Sequence, residues 1–173
     1  IAVSRLFNCR VLVEDGAVTA GILERALARQ RESGGALDTA LLELRAVPEA
    51  RLVALLARAS GLPPAPERAW KETDARARRV FPSRVAERHG LAPFALDGRE
   101  LSLVATHPVD LGLLDEISFM LSLHLTAHVG PEWRVRELIH RLYGGTLPPR
   151  LAALAAGGPP EPPLATQDAP SPA

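Results

Sequence analysis

Cysteine is nearly absent from this 173-residue chain: Cys9 is the only one. That excludes an internal disulfide framework and any Cys-rich zinc site. It also fits a reducing compartment. Aromatic residues make up only 4% of the sequence. Neither sign of charge is in excess, because 20 basic and 20 acidic residues cancel. A neutral chain has no general electrostatic pull on a polyanion, so nucleic acid is not an expected partner. A small anionic ligand held by a few local groups is still allowed. No apolar run approaches the roughly 20 residues that span a bilayer, so direct membrane insertion is not expected. The start shows no basic-then-apolar leader. It opens on Ile1 rather than Met, which suggests a cut or processed piece of a longer chain. Lysine is equally scarce, with Lys71 alone, a feature of composition rather than function.

What is present is a 47% hydrophobic chain, long enough for one domain or two small ones. Proline divides it. Eight of the 16 prolines lie between Pro148 and Ala173. Proline removes backbone donors and favours extended chain. A second Pro-rich break, LPPAPER, occupies residues 62–68. The expected organisation is a helical tandem-repeat region over 1–61, an α+β region over 62–146, and a Pro-rich linker or disordered tail over 147–173. The fold class is α+β.

The first region repeats itself at an offset of 29 residues. Leu12, Leu23 and Leu27 recur as Leu41, Leu52 and Leu56. Thr19 aligns with Pro48, and both suit a helix start. Threonine caps free N–H groups, and proline is tolerated at the first helical position. Each copy reads as a short helix, a turn and a longer helix: about 4–14 with 20–32, then about 37–44 with 49–60. Leu52, Leu55, Leu56 and Ala59 form one buried stripe, and Ile22, Leu23, Ala26 and Leu27 form another. Neither hairpin buries its stripe alone, so the two are expected to pack together. Gly16 suits a left-handed turn after the first short helix. Its counterpart is Arg45, for which that conformation costs roughly 1 kcal/mol or more. The second turn is therefore predicted to differ in shape.

The second region mixes periods. Residues 82–89 suggest a helix. Ala92 to Leu96 and Leu101 to Ala105 suggest strands joined through Asp97-Gly98, with a loop longer than the tightest hairpin. Leu113, Leu114, Ile117, Met120 and Leu121 mark a helical face over 110–121. Leu123, Leu125, Ala127 and Val129 alternate with polar residues as in a half-buried strand. Val135, Leu138, Ile139 and Leu142 mark a final amphipathic helix. The order is α-β-β-α-β-α.

Catalytic signatures are missing. There is no P-loop around Lys71, and no GxSxG, HExxH or CxxC. Cys9 reads as a small buried hydrophobe. His124 and His128 have the i,i+4 spacing of a helical zinc pair, but the local alternation is that of a strand, which makes them a solvated pair. His107-Pro108 follows a strand, where loops often carry function; a stiffened turn is the plainer reading, and a weak enzymatic one rests there. His89 suits a helix C-terminus and His140 an exposed helix face. Asp110, Asp115 and Glu116 suit a helix start. Arg76, Arg78 and Arg79 form a solvated basic face, with anion or acidic-partner binding as the alternative.

The order Leu91-Ala92-Pro93, Pro108-Val109-Asp110 and Tyr143-Gly144 resembles the N-terminal region of type II secretion and type IV pilus assembly ATPases of the general secretory pathway protein E type. The resemblance covers about 7–144. In that family the motor follows this region and carries the Walker motifs. The resemblance therefore implies a non-catalytic regulatory or docking module. Its implied partner is a protein: the cytoplasmic part of a membrane platform, or a tethered signalling or ATPase domain. The implied location is cytoplasmic, peripheral at the inner membrane only through that partner. No cofactor is implied, with cyclic di-GMP as the alternative. A subset of these domains, the MshE type, binds cyclic di-GMP through tandem motifs RLGxxLxxxGxxxxxxLxxxLxxQ. Leu12, Gly16, Leu23, Leu27 and Gln30 match the first copy, and Leu37, Leu41, Leu52 and Leu56 the second. Phe7, Asn8 and Cys9 stand at the first R, L and G. Ala36, Asp38, Arg45 and Ala59 stand at the second R, both glycines and the glutamine. The lost Arg and Gly are those implied to meet an anion, whereas the retained leucines also serve packing.

Overall fold

The computed structural model describes residues 9–157. Four helices open it: α1 (9–14), α2 (Ala20–Ser33), α3 (Leu37–Glu43) and α4 (Glu49–Ser60). The part of the first expected helix before residue 9 lies outside the described residues. Leu12, Leu23, Ala26, Leu41, Leu52, Leu55 and Leu56 share one buried cluster, so the two hairpins do complete each other's core. Thr19 caps α2 by accepting from the Ile22 N–H. Pro48 stands one residue earlier than expected, as the N-cap of α4, where its fixed φ of −59° fits an extended approach.

The second turn corrects the expectation of a changed shape. Arg45 adopts φ 50°, beside φ 65° at Gly16. The backbone bonds are also the same. Gly16 N–H donates to Val13 O and Ala17 N–H to Leu12 O, as Arg45 N–H donates to Leu42 O and Ala46 N–H to Leu41 O. These close the last turn and supply partners to carbonyls that the helix end leaves unpaired. The repeat's packing therefore overrides the local preference of arginine.

The remaining elements build a lobe on a three-stranded sheet. Short helices α5 (Glu67–Lys71) and α6 (Ala75–Val80) precede α7 (Ser83–His89), β1 (Leu91–Asp97), β2 (Glu100–Ala105), α8 (Leu111–Leu121), β3 (His124–Val129) and α9 (Glu132–Tyr143). The sheet order is β1-β2-β3. β1 and β2 are antiparallel, and β3 returns parallel to β2 after the α8 crossover. Leu101, Leu103, Val104 and Ala105 of the central strand are fully buried. Pro93 sits on edge strand β1, where a missing donor is tolerated. The register slips between Pro93 and Ala95, leaving Phe94 as the inserted residue. Its ring meets the edge of His128 at 5.4 Å.

Several expectations need amendment here. Asp97 pairs with Glu100, so the hairpin loop is the tight two-residue Gly98-Arg99 rather than a longer one. Gly98 at φ 57° makes that possible. Arg76, Arg78 and Arg79 belong to α6, whose N-cap Asp74 accepts from both Arg76 N–H and Leu96 N–H. His128 packs on Phe94 instead of pairing with His124 in solvent, and its Nδ1 is buried. His140 is half-buried, not exposed. On α8 only Leu114 and Ile117 are buried, whereas Met120 is exposed. Gly90 ends α7 at φ 64° against Thr106, where a Cβ would lie 2.4 Å from Oγ1.

The expected Pro-rich tether is wrong over its first turns. Pro149–Ala155 is a helix, α10, with Pro149 in the first turn and Leu151 buried. Arg150 forks onto Glu43, which also accepts from Arg29, and donates to the Ser33 and Gly34 carbonyls. Burial opposes the Glu43 charge, but hydrogen bonds from Arg150 and Arg29 outweigh it and lower its pKa. Composition hid this because the partner, Glu43, is 107 residues away in sequence. The rest of the tail, from residue 158, lies outside the described residues.

The strained turn makes one measurable statement. Arg45→Gly is expected to stabilise the protein by about 1 kcal/mol in urea unfolding. Arg45→Val, with a branched Cβ at positive φ, is expected to destabilise it.

Candidate functional site

A cavity of about 580 Å³ opens between the four-helix unit and the lobe. Leu12 of α1, Leu27 and Gln30 of α2, Leu37 and Leu41 of α3, and Leu52 and Leu56 of α4 line it. The tandem motif copies, 29 residues apart in sequence, thus converge on one space. Gly16 and Leu23 do not reach it. Gly16 lies in the α1–α2 turn, and Leu23 is buried in the helical core. Cys9, Ala36, Asp38 and Ala59, which replace motif residues, also line the cavity, but Arg45 does not. Phe7 and Asn8 lie outside the described residues.

The lobe supplies the opposite wall, from Thr106 to Leu111, together with Glu132. The His107-Pro108 loop singled out from the sequence is therefore at the cavity. Burial lowers the His107 pKa, which favours neutral imidazole. Glu132 was missed. Its only sequence signal was an acid in the first turn of a helix after Gly130-Pro131.

Glu132 and Asp38 exchange helix caps across the junction. Asp38 Oδ2 accepts from the Glu132 N–H at 2.7 Å, at the start of α9. Glu132 Oε2 accepts from the Ala36 N–H at 2.8 Å and from the Thr39 hydroxyl, at the start of α3. Each carboxylate thus accepts from one free N–H at the start of the other helix, Glu132 from the Thr39 hydroxyl as well, where partial positive charge favours an anion. Asp38 is only 5% exposed. Burial pushes its pKa up to about 7; the Glu132 N–H opposes this and the Glu132 carboxylate adds to it.

The other polar groups are also engaged locally. Gln30 Nε2 donates to Gly35 O at 3.0 Å. Asp110 Oδ1 accepts from the Leu113 N–H at 3.1 Å and caps α8. The cavity is thus a leucine-lined space whose polar side chains mostly finish helices. Among the described residues its lining holds Asp38, Asp110 and Glu132 but no Arg or Lys, and no His/Cys/Asp/Glu cluster is suited to a metal. Cys9 is half-buried and its thiol pKa is raised, chiefly by burial.

The model of the MshEN domain matches residues 60–149. The chain belongs to the MshEN domain family. The matched span holds the lobe, and the tandem motif copies precede it. The type IV pilus assembly ATPase PilB of Myxococcus xanthus is 25% identical over 133 residues, 77% of this chain. The chain spans only 23% of that relative's length. Among solved structures, MshE with cdg is similar at a TM-score of 0.58 and 25% identity, covering 79% of this chain and 98% of that one. The N-terminal domain of XpsE is similar at a TM-score of 0.55 and 25% identity, covering 82% and 96%. The expected kinship with secretion and pilus ATPase N-terminal regions is borne out by these findings. What they match in XpsE is its N-terminal domain. No helix of this MshEN domain, among the described residues, is long and apolar enough to cross a membrane.

The buried carboxylate has a pH signature. The unfolded chain releases the Asp38 proton near 3.8, whereas the folded state holds it up to about 7. Between those values the folded state binds the extra proton, so this site's contribution to stability falls as pH rises. Asp38→Asn removes the titration. The stability of the wild type relative to D38N is expected to drop between pH 4 and pH 7, by at most about 1.4 kcal/mol per pH unit. Urea unfolding at stepped pH measures it; a constant difference would contradict the buried-acid assignment.

Proposed function

We propose that this MshEN domain is a non-catalytic regulatory and docking module that binds a partner protein. The observation that carries this reading is the likeness to the XpsE N-terminal domain over 82% of the chain. The site's chemistry supports it. Asp38, Glu132, Gln30 and Asp110 hold helix ends and turns, so they are positioned for structure rather than aimed at a common reacting atom. The sequence carries no phosphate-binding loop. The partner class is the cytoplasmic part of a membrane platform protein, or a signalling or ATPase domain tethered to this chain. A cytoplasmic setting, at the membrane only through that partner, follows. The test is a pull-down of the intact protein against cytoplasmic segments of secretion and pilus platform proteins. Saturable binding is expected; clean failure with folded protein would count against the reading.

A second reading is favoured by one observation. Seven of the nine retained motif residues line a single cavity, of a size within the range of small-ligand sites. The similar MshE structure is with cdg, which makes cyclic di-GMP the ligand to try. The lining argues against it: a ligand with two phosphates would meet Asp38 and Glu132 and no described cation. Calorimetry and thermal unfolding with cyclic di-GMP at about 100 µM separate the readings, because a ligand that binds the native state raises its stability. The docking reading expects neither heat nor shift.

A further inference from the structure

The outer face of α8 carries large apolar side chains, of which only Met120 was expected in the core. Phe119 is 89% exposed, Met120 60% and Leu111 57%. These are large apolar side chains on a helix whose opposite face, Leu114 and Ile117, is already buried in the lobe. Leu111 and Phe119 are separated by eight residues, about 12 Å along the helix. Asp115 and Glu116 lie between them on the same exposed side and join no ion pair among the described residues. The helix carries no Lys or Arg. Arg99 stands at its C-terminal end, where the guanidinium donates to Ser122 O at 2.8 Å.

Charge narrows the occupants. Residues 158–173 carry Glu161 and Asp168 and no Lys or Arg, so this tail would meet carboxylates with carboxylates. A second copy docking through the same face would place Asp115 and Glu116 against their counterparts. An anionic bilayer surface would be repelled in the same way. A basic segment is attracted. Successive apolar residues seven apart on a helix are about 10.5 Å from each other, close to the Leu111–Phe119 separation. We propose that the stripe of α8 formed by Leu111, Asp115 and Phe119 seats an amphipathic helix of a partner protein, with apolar residues on Leu111 and Phe119 and Lys or Arg opposite Asp115, while Glu116 and Met120 flank it on the far side of the exposed face. The assignment rests on the docking reading and specifies its surface and the partner's chemistry.

Site-specific photo-crosslinking tests it on the full-length protein in its own cells. A benzoylphenylalanine is placed at Phe119, and in a second strain at Lys71, an exposed position on α5. Circular dichroism checks that both variants fold. The expected result is a Phe119 adduct with a partner protein, within a segment that alternates apolar residues with Lys or Arg at helical spacing. Adding Asp115→Lys and Glu116→Lys is expected to lower the adduct yield about tenfold. An adduct with residues 1–8, with a second copy, with lipid, or with an acidic partner segment would overturn the proposal. So would a yield indifferent to the charge reversal. If Lys71 captures a partner protein and Phe119 does not, the docking reading stands and the α8 surface falls. If neither position captures one, the α8 surface falls, and the pull-down alone decides the docking reading.

Discussion

The structure depends on the exchange of caps between Asp38 and Glu132. Burying the Asp38 carboxylate beside half-buried Glu132 is unfavourable unless strong donors meet it. Here the donors are the free N–H groups at the starts of α3 and α9. The N-cap residues themselves, Ala36 and Pro131, make no side-chain cap hydrogen bond. The four-helix unit and the sheet lobe are thereby held in one relation, and the cavity between them takes its shape from that relation. Asp38 is only 5% exposed there, and that burial raises its pKa.

That exchange also explains what has become of the second motif copy. Its two glycine positions hold Asp38 and Arg45. Asp38 caps a helix of the lobe, and Arg45 keeps the left-handed turn that Gly16 makes in the first copy. Meanwhile Leu41, Leu52 and Leu56 remain in the core. Apolar positions persist because the two hairpins complete each other's packing. The polar positions differ between the two copies, and a helix end can be satisfied by several side chains.

Local rules carried the reading of the sequence a long way. The helical hairpins, both strands of the β-hairpin, the crossover helix and the last amphipathic helix of the lobe all follow from periodicity and turn residues. So does the packing of the two hairpins on each other. What escaped was decided over long distances. Glu132 became part of the cavity because α3 lies against the start of α9. Met120 looked like core because Leu113, Leu114 and Ile117 share its period, but the sheet covers only one side of α8. The short helices α5 and α6 leave too few residues for a period to emerge, and α10 is secured by Glu43 rather than by composition. The conformation of Arg45 escaped for the same reason: a local preference worth about 1 kcal/mol yields to two packed hairpins.

The anchorage of α10 has a mechanical consequence. The chain past residue 157 leaves a helix fastened through the Arg150 fork to Glu43 and to the backbone between α2 and α3. Because α10 packs on α9 of the lobe as well as on α3, a pull on it is shared between the two units.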